Sequence, residues 1–325
     1  MKYLLFLIIA LTAAIAVNAQ QTSVNMSEEP AALVTPSGKL YGTLELPPAK
    51  TPVPVVLIIA GSGPTDRNGN SPLLPGPNNA YKLLADELAK NGIASLRTDK
   101  RGVGESRMIA QQKESDLKFE TYIDDAVLWT KQLRADKRFS TITIAGHSEG
   151  SLIGMVAAAK SGADSYISIA GAGRRIDKIL LEQLKPAYTP ELYTATEKIL
   201  NELLVGRTVD PVAQPELASL FRPSVQPYMI SWLKYDPAVE IAKLSIPVLI
   251  LQGKTDVQIS VADAELLAKA QPKAKLVLLD DVNHMLKYAI RDQASQMKAY
   301  SDPSVPIDKT LAAEVVTFVR SIKQK

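Results

Sequence analysis

The sequence predicts an α/β fold: a mostly parallel eight-stranded sheet flanked by helices and interrupted once by an inserted helical cap. Three observations carry this. Short apolar runs rich in branched residues alternate with longer segments of helical period. The alternation breaks once, between Arg174 and about Ser245, where helical patterns follow one another with no strand between them. A glycine-bounded turn, Gly146 to Gly150, joins one of the apolar runs directly to a helical one.

In chain order, Met1 and Lys2 precede an almost unbroken apolar run from Tyr3 to Val17, closed by Asn18 and Ala19. A membrane-crossing helix needs roughly 20 apolar residues, and this run is shorter and ends in small residues with no basic stop behind it. The expectation is a signal peptide over residues 1–19, cleaved after Ala19, and an exported protein, periplasmic or secreted. A cysteine for a lipid anchor is lacking at the cleavage point, so a stable membrane anchor is not expected.

Leu33 to Leu46 reads as a hairpin turning at Ser37 and Gly38. Six strand candidates follow: Val53 to Ala60, Ile93 to Arg97, Thr141 to Ala145, Tyr166 to Ala170, Val248 to Leu251 and Lys275 to Leu279. Helical periods lie between and after them, at Asn79 to Lys90, Phe119 to Arg134, Ser151 to Lys160, Ala262 to Ala270 and Asp308 to Ile322. The core is thereby divided into residues 20–173 and 246–325, with the cap as an insertion over 174–245. Within the cap, Pro186, Pro190, Pro211, Pro215, Pro223 and Pro227 break the helical pattern into short pieces.

Composition narrows the chemistry. There is no cysteine, which removes thiol and iron–sulfur chemistry and leaves core burial to hold the fold. The formal charge of +3 is spread along the chain with both signs mixed, so neither nucleic acid nor an anionic membrane surface is indicated as a partner.

The turn Gly146-His147-Ser148-Glu149-Gly150 is a G-x-S-x-G nucleophile elbow in its required strand-to-helix context. The sharp turn lifts the serine hydroxyl above the sheet, glycines give clearance on both sides, and the following helix aims its positive end at the site. A serine hydroxyl needs a base near neutrality, in practice a histidine held by a carboxylate. The chain has two histidines. His147 belongs to the elbow, where its side chain is expected to point away from the nucleophile, leaving His284 as the base. Asp256, past the strand Val248 to Leu251, is the expected orienting carboxylate, with Asp280 and Asp281 as rivals. The order Ser148, Asp256, His284 matches the strand-to-helix elbow scheme. Oxyanion donors are expected at the backbone N–H groups of Glu149, after the nucleophile, and Ser62, in the glycine turn Gly61-Ser62-Gly63 after an early strand.

These motifs, together with Gly61 to Asn70, Asp99-Lys100-Arg101-Gly102-Val103-Gly104-Glu105-Ser106 and Tyr235-Asp236-Pro237, resemble the α/β-hydrolase superfamily. The likeness is strongest to secreted bacterial esterases grouped with serine aminopeptidase-like hydrolases, and it spans nearly the whole mature chain. It implies the α/β-hydrolase fold, a helical cap between the sixth and seventh strands, and hydrolysis of esters through an acyl-enzyme. The chain departs from many relatives at Glu149, where glutamine, methionine or leucine is common, and this keeps peptide bonds in play.

Two motifs fail on inspection. Asp66-x-Asn68-x-Asn70 begins like a calcium loop, but Ser71 stands where glycine is needed and Pro77 where the bidentate glutamate belongs. Gly102-x-Gly104 lacks the third glycine of a dinucleotide site, since position 107 is Arg107. Neither a metal nor an organic cofactor is expected. Arg67 is a candidate for a substrate carboxylate, and Trp232, with Tyr188, Tyr193, Phe221, Tyr228 and Tyr235, for an apolar pocket or the cap's own core. The expected partner is a small ester. An exopeptidase acting on short peptides is the alternative, needing an amine-binding carboxylate such as Glu182, Glu191, Glu197 or Glu202. A non-catalytic binding protein on the same fold is the third reading. Acyl length and oligomeric state are not encoded in any motif.

Overall fold

The computed structural model describes residues 26–108 and 113–324. The expected leader, residues 1–19, lies outside the described residues. Elements run β1 (Ser27–Thr35), β2 (Gly38–Leu46), β3 (Val53–Ile59), α1 (Ala80–Lys90), β4 (Ala94–Thr98), α2 (Phe119–Ala135), β5 (Phe139–His147), α3 (Glu149–Ser161) and β6 (Ser165–Ile169). After β6 come α4 (Ile176–Leu184), α5 (Pro190–Leu204), α6 (Ala218–Phe221), α7 (Gln226–Trp232) and α8 (Pro237–Ala242). The chain then returns through β7 (Val248–Gly253), α9 (Val261–Ala270), β8 (Lys275–Leu279), α10 (Gln293–Ser301) and α11 (Lys309–Ser321).

The eight strands form one sheet in the order β1-β2-β4-β3-β5-β6-β7-β8. β1 and β2 pair antiparallel from Ser27↔Leu46 to Thr35↔Gly38, and β2 meets β4 antiparallel. All later pairings are parallel. The hairpin turns one residue earlier than the sequence implies, because Gly38, at φ 135°, already opens β2.

Burial explains which strands read cleanly. In β5, Thr141 to His147 are all buried, as are all of β6 and β7, since helices cover both faces. The edge strand β1 instead alternates exposed and covered positions. On one face, α1 and α11 seal a core containing Tyr81, Leu84, Leu88, Leu311, Val315 and Val319. On the other, α2, α3 and α9 pack a larger core with Phe119, Trp129, Ile153 and Leu267. Helices α4 to α8 join that second core: Trp232 of α7 stacks on Phe119 of α2 with ring centroids 5.6 Å apart and planes 5° from parallel.

Helix α10 has no counterpart in the sequence reading. Its sequence, QASQMKAYS, shows no apolar stripe, and only Gln296 and Ala299 are buried. It is held by its cap, where Asp292 accepts from Ser295 N–H at 2.9 Å, and by Gln296 Nε2 donating to Thr255 O at 3.2 Å and Ile290 O at 2.9 Å.

Candidate active site

Ser148 sits between β5 and α3 at φ 55°, ψ −120°, a backbone conformation that ordinary residues adopt only under constraint. Its glycine neighbours supply that constraint. A methyl group at Gly146 would collide with the Gly150 carbonyl, and one at Gly150 with the carbonyls of Ile59 and Ala60. The elbow therefore presses against the end of β3, and Gly61 beyond it also comes close: a Cβ there would lie 3.2 Å from Ser148 Cβ.

Asp256 and His284 arrive from the turns after β7 and β8. His284 Nδ1 lies 2.8 Å from Asp256 Oδ2, and both side chains are buried. The other carboxylate oxygen accepts the backbone N–H groups of Gln258 at 2.7 Å and Ile259 at 3.0 Å. Burial pushes the Asp256 carboxyl up, but His284 and these donors outweigh it and hold it below the usual carboxylate range. An ionised Asp256 fixes the Nδ1–H tautomer of a neutral His284, so Nε2 carries the lone pair. Asp280 instead pairs with Lys254 at 2.7 Å on the surface. Asp281 stands at φ 52° in the turn, with its carbonyl accepting from Ala289 N–H.

His147 is placed differently from the expectation that it points away. Its ring lies 4.7 Å, centroid to centroid, from that of His284. Both its nitrogens are engaged. Nδ1 is 2.7 Å from Tyr81 Oη, and Nε2 is 2.8 Å from the His284 carbonyl. That carbonyl can only accept, so Nε2 carries the proton and Nδ1 accepts from the Tyr81 hydroxyl, whose oxygen in turn accepts Gly61 N–H at 3.0 Å. Burial, reinforced by the neighbouring His284, pushes the His147 imidazole down to about 3. It is a neutral, fully bonded ring, which excludes it as a base for a stronger reason than orientation.

Ser148 lies where two cavities meet. One, of about 200 Å³, is lined by Gly61, Ser62, Tyr81, His147, Ser148 and His284 among others. The second, of about 130 Å³, shares Ser62 and Ser148 and runs beneath helices α4 to α8 between Leu152, Ile176, Ile179, Leu220, Met229 and Trp232. Trp232 thus does two things, stacking on Phe119 and walling the apolar cavity. Ser62 and Glu149, the expected oxyanion donors, line this second cavity together with Ser148.

Arg67 is not brought to this site. Its guanidinium bonds Asp99 at 2.5 Å and Glu105 at 2.7 Å, and it lines a separate charged cleft with Glu28, Arg97 and Asp99. The cap glutamates are elsewhere too. Glu182 pairs with Arg174 at 2.6 Å, Glu202 with Arg207 at 2.6 Å, and Glu191 lines an outer cleft beside α5. Glu197 lines neither cavity that contains Ser148. The calcium-like segment is a self-tied loop: Asp66 Oδ1 accepts Asn68 N–H at 2.8 Å and Asn70 N–H at 2.9 Å.

Several site residues escape sequence reasoning. Glu149 buries its carboxylate between Lys100 Nζ, at 2.6 Å, and the hydroxyl of Tyr228 from α7. Lys287 is wholly buried and donates to the carbonyls of Asn78 at 2.6 Å and Asp302 at 2.8 Å, tying the turn after His284 to the loop before α1. Burial pushes its ammonium down to about 8. Glu149 and Lys100 had a local signal in their places inside the elbow and the Asp99 to Ser106 loop, but neither motif announces the ion pair between them.

Sheet order, elbow and the placement of Ser148, Asp256 and His284 define the fold class as an α/β-hydrolase. A family model described as serine aminopeptidase, S33, matches residues 78–288, and the chain belongs to that family. It is 29% identical over 253 residues to esterase EstD of Thermotoga maritima, an alignment covering 76% of this chain and 58% of the relative. The chain thus spans under two thirds of that relative's length. Est1E from Butyrivibrio proteoclasticus superposes with a TM-score of 0.57 at 16% identity, over 90% of this chain and 99% of that one. A hypothetical protein from Pseudomonas aeruginosa gives 0.61 at 13% identity, over 91% and 94%. At these identities the structural likeness is one of fold.

Proposed function

We propose that this protein is a carboxylesterase-type serine hydrolase that cleaves small esters through an acyl-enzyme. Ser148 attacks the ester carbonyl, His284 Nε2 takes its proton and returns it to the leaving alcohol, and Asp256 steadies the imidazolium that forms between. The N–H groups of Ser62 and Glu149 receive the oxyanion. Water, activated by the same His284, then releases the acid.

The observation that carries this reading is the junction at Ser148. A strained serine stands between two cavities while a carboxylate-held histidine with its Nε2 lone pair lines one of them. The apolar cavity of about 130 Å³ suits an acyl chain of a few carbons, and the 200 Å³ side takes the alcohol. Similarity to a protein named as an esterase points the same way. A peptide substrate would need a free carboxylate for the amine, and Glu149, the one acidic side chain lining the apolar cavity among the described residues, is already bonded to Lys100 and Tyr228.

The test is fluorophosphonate labelling with a p-nitrophenyl ester series and an aminoacyl-anilide, each with Ser148→Ala alongside. Labelling and ester turnover that vanish in Ser148→Ala, with little anilide cleavage, are expected. A folded protein that neither labels nor turns over esters would be a binding protein instead. The exported location belongs to the same reading, and fractionation with N-terminal sequencing of the mature protein checks it, a start at Gln20 being expected.

A further inference from the structure

We propose that Lys100 is a positioning residue for the oxyanion site, acting through the peptide bond between Gly61 and Ser62. This rests on the serine-hydrolase reading above and adds a residue to it. Lys100 Nζ donates to the Gly61 carbonyl at 3.1 Å. In a trans peptide the C=O of one residue and the N–H of the next point in opposite directions. A cation fixed on the Gly61 oxygen therefore turns the Ser62 N–H the other way, and by drawing electron density toward the carbonyl it makes that N–H a stronger donor. The Gly61 N–H is fixed as well, by Tyr81 Oη at 3.0 Å. Both polar ends of Gly61 are thus held by side chains from outside the loop, and Ser62 N–H is the next donor along.

The lysine is itself tightly placed. Its neighbour Asp99 accepts the N–H groups of Arg67 at 2.9 Å and Glu105 at 3.0 Å, and on its other side Arg101 pairs with Asp125 at 2.6 Å. The ammonium rests over the Tyr122 ring, 4.7 Å from its centroid, and its side chain is 11% exposed. Its strongest partner is Glu149, whose own backbone N–H is the other expected oxyanion donor. One ammonium group therefore touches both donor-bearing segments, the Gly61–Ser62 peptide through a carbonyl and Glu149 through its carboxylate. Neutralising Glu149 needs only one of the three N–H donors of the lysine. The bond to Gly61 is what a merely neutralising lysine has no reason to make.

Removing a direct oxyanion donor costs about 10²–10³ in kcat, so losing the group that aims one is expected to cost about ten- to a hundredfold. The experiment compares wild type, Lys100→Met, the double variant Lys100→Met/Glu149→Gln and Ser148→Ala. It reads kcat and KM on p-nitrophenyl butyrate and the rate of fluorophosphonate labelling, with circular dichroism as a check on folding. The proposal expects kcat and labelling rate to fall together in both Lys100 variants, with KM and the pH midpoint of kcat little changed. The double variant decides the cause, because it leaves no orphaned carboxylate. Recovery of wild-type rates there would mean that Lys100 only neutralises Glu149 and would overturn the proposal, and if Lys100→Met fails to fold the double variant still gives the answer. A wild-type protein that neither labels nor turns over ester overturns the hydrolase reading itself, an outcome distinct from active Lys100 variants.

Discussion

His147 Nε2 donates to the main-chain carbonyl of His284 at 2.8 Å, so the residue before the nucleophile holds the backbone of the residue proposed as its base. Its hydrogen bonds suit a neutral ring, and burial holds the His147 imidazole near 3 against an ordinary value near 6.5. Between those values the unfolded chain binds a proton at this position that the folded chain does not. Stability is therefore intact above pH 6.5 and falls as the pH drops toward 3, with a slope from this group of up to about 1.4 kcal/mol per pH unit. His147→Gln, which keeps one donor and one acceptor, should flatten the slope between pH 4 and 6.5 in urea unfolding. Equal slopes in the two proteins would contradict the assignment.

Asp256→Asn should leave the fold in place and lower kcat by about 10³–10⁴, because a neutral amide neither fixes the tautomer nor steadies an imidazolium. Stopped assays on short esters measure it. A loss under tenfold would move the orienting role away from Asp256.

Met229 is 4% exposed and walls the apolar cavity beside Ser148. Met229→Ala should cost about 2–4 kcal/mol of stability and open space for a longer chain. In a p-nitrophenyl series the preferred acyl length should move up by two or more carbons, read from kcat/KM. An unmoved optimum would place the acyl group in the other cavity.

Arg67→Ala should harm stability and spare substrate binding. It would strip a buried Asp99 of the guanidinium bonded to it, and breaking a buried pair from one side costs about 3–5 kcal/mol. KM for neutral and anionic esters should change by the same small factor. A selective rise in KM for anionic esters would restore Arg67 as a substrate contact.

What the sequence carried was chemistry written over a few adjacent residues. Ser148 has its glycines within two positions, Asp256 follows β7, whose apolar run is continuous because both faces of the sheet are covered there, and His284 follows the apolar run of the half-buried edge strand β8. Lys100, Tyr81 and the side chain of His147 act on partners 39, 20 and 137 residues away, pairs with no local pattern to announce them. The contacts of His147 are not legible in the elbow because elbow geometry alone says nothing of Tyr81, which α1 brings against its ring. The ion pairs of Arg67 are not legible locally because its acceptors, Asp99 and Glu105, sit in another loop. Helix α10 was invisible for the related reason that its stability comes from a cap and a glutamine bridge and not from an apolar stripe.

The chain contains two histidines, and their rings lie side by side at the site, tilted by 51°. Selective isotopic labelling of histidine would therefore yield a spectrum with no background, every imidazole resonance in it reporting on the site. The His147 ring should hold its shifts from neutral pH down to about 4, so the molecule carries an internal reference signal 4.7 Å from the His284 ring. With no native thiol to compete, a single introduced cysteine on α7 would place a second label among helices α4 to α8, and site and roof could be followed in one sample.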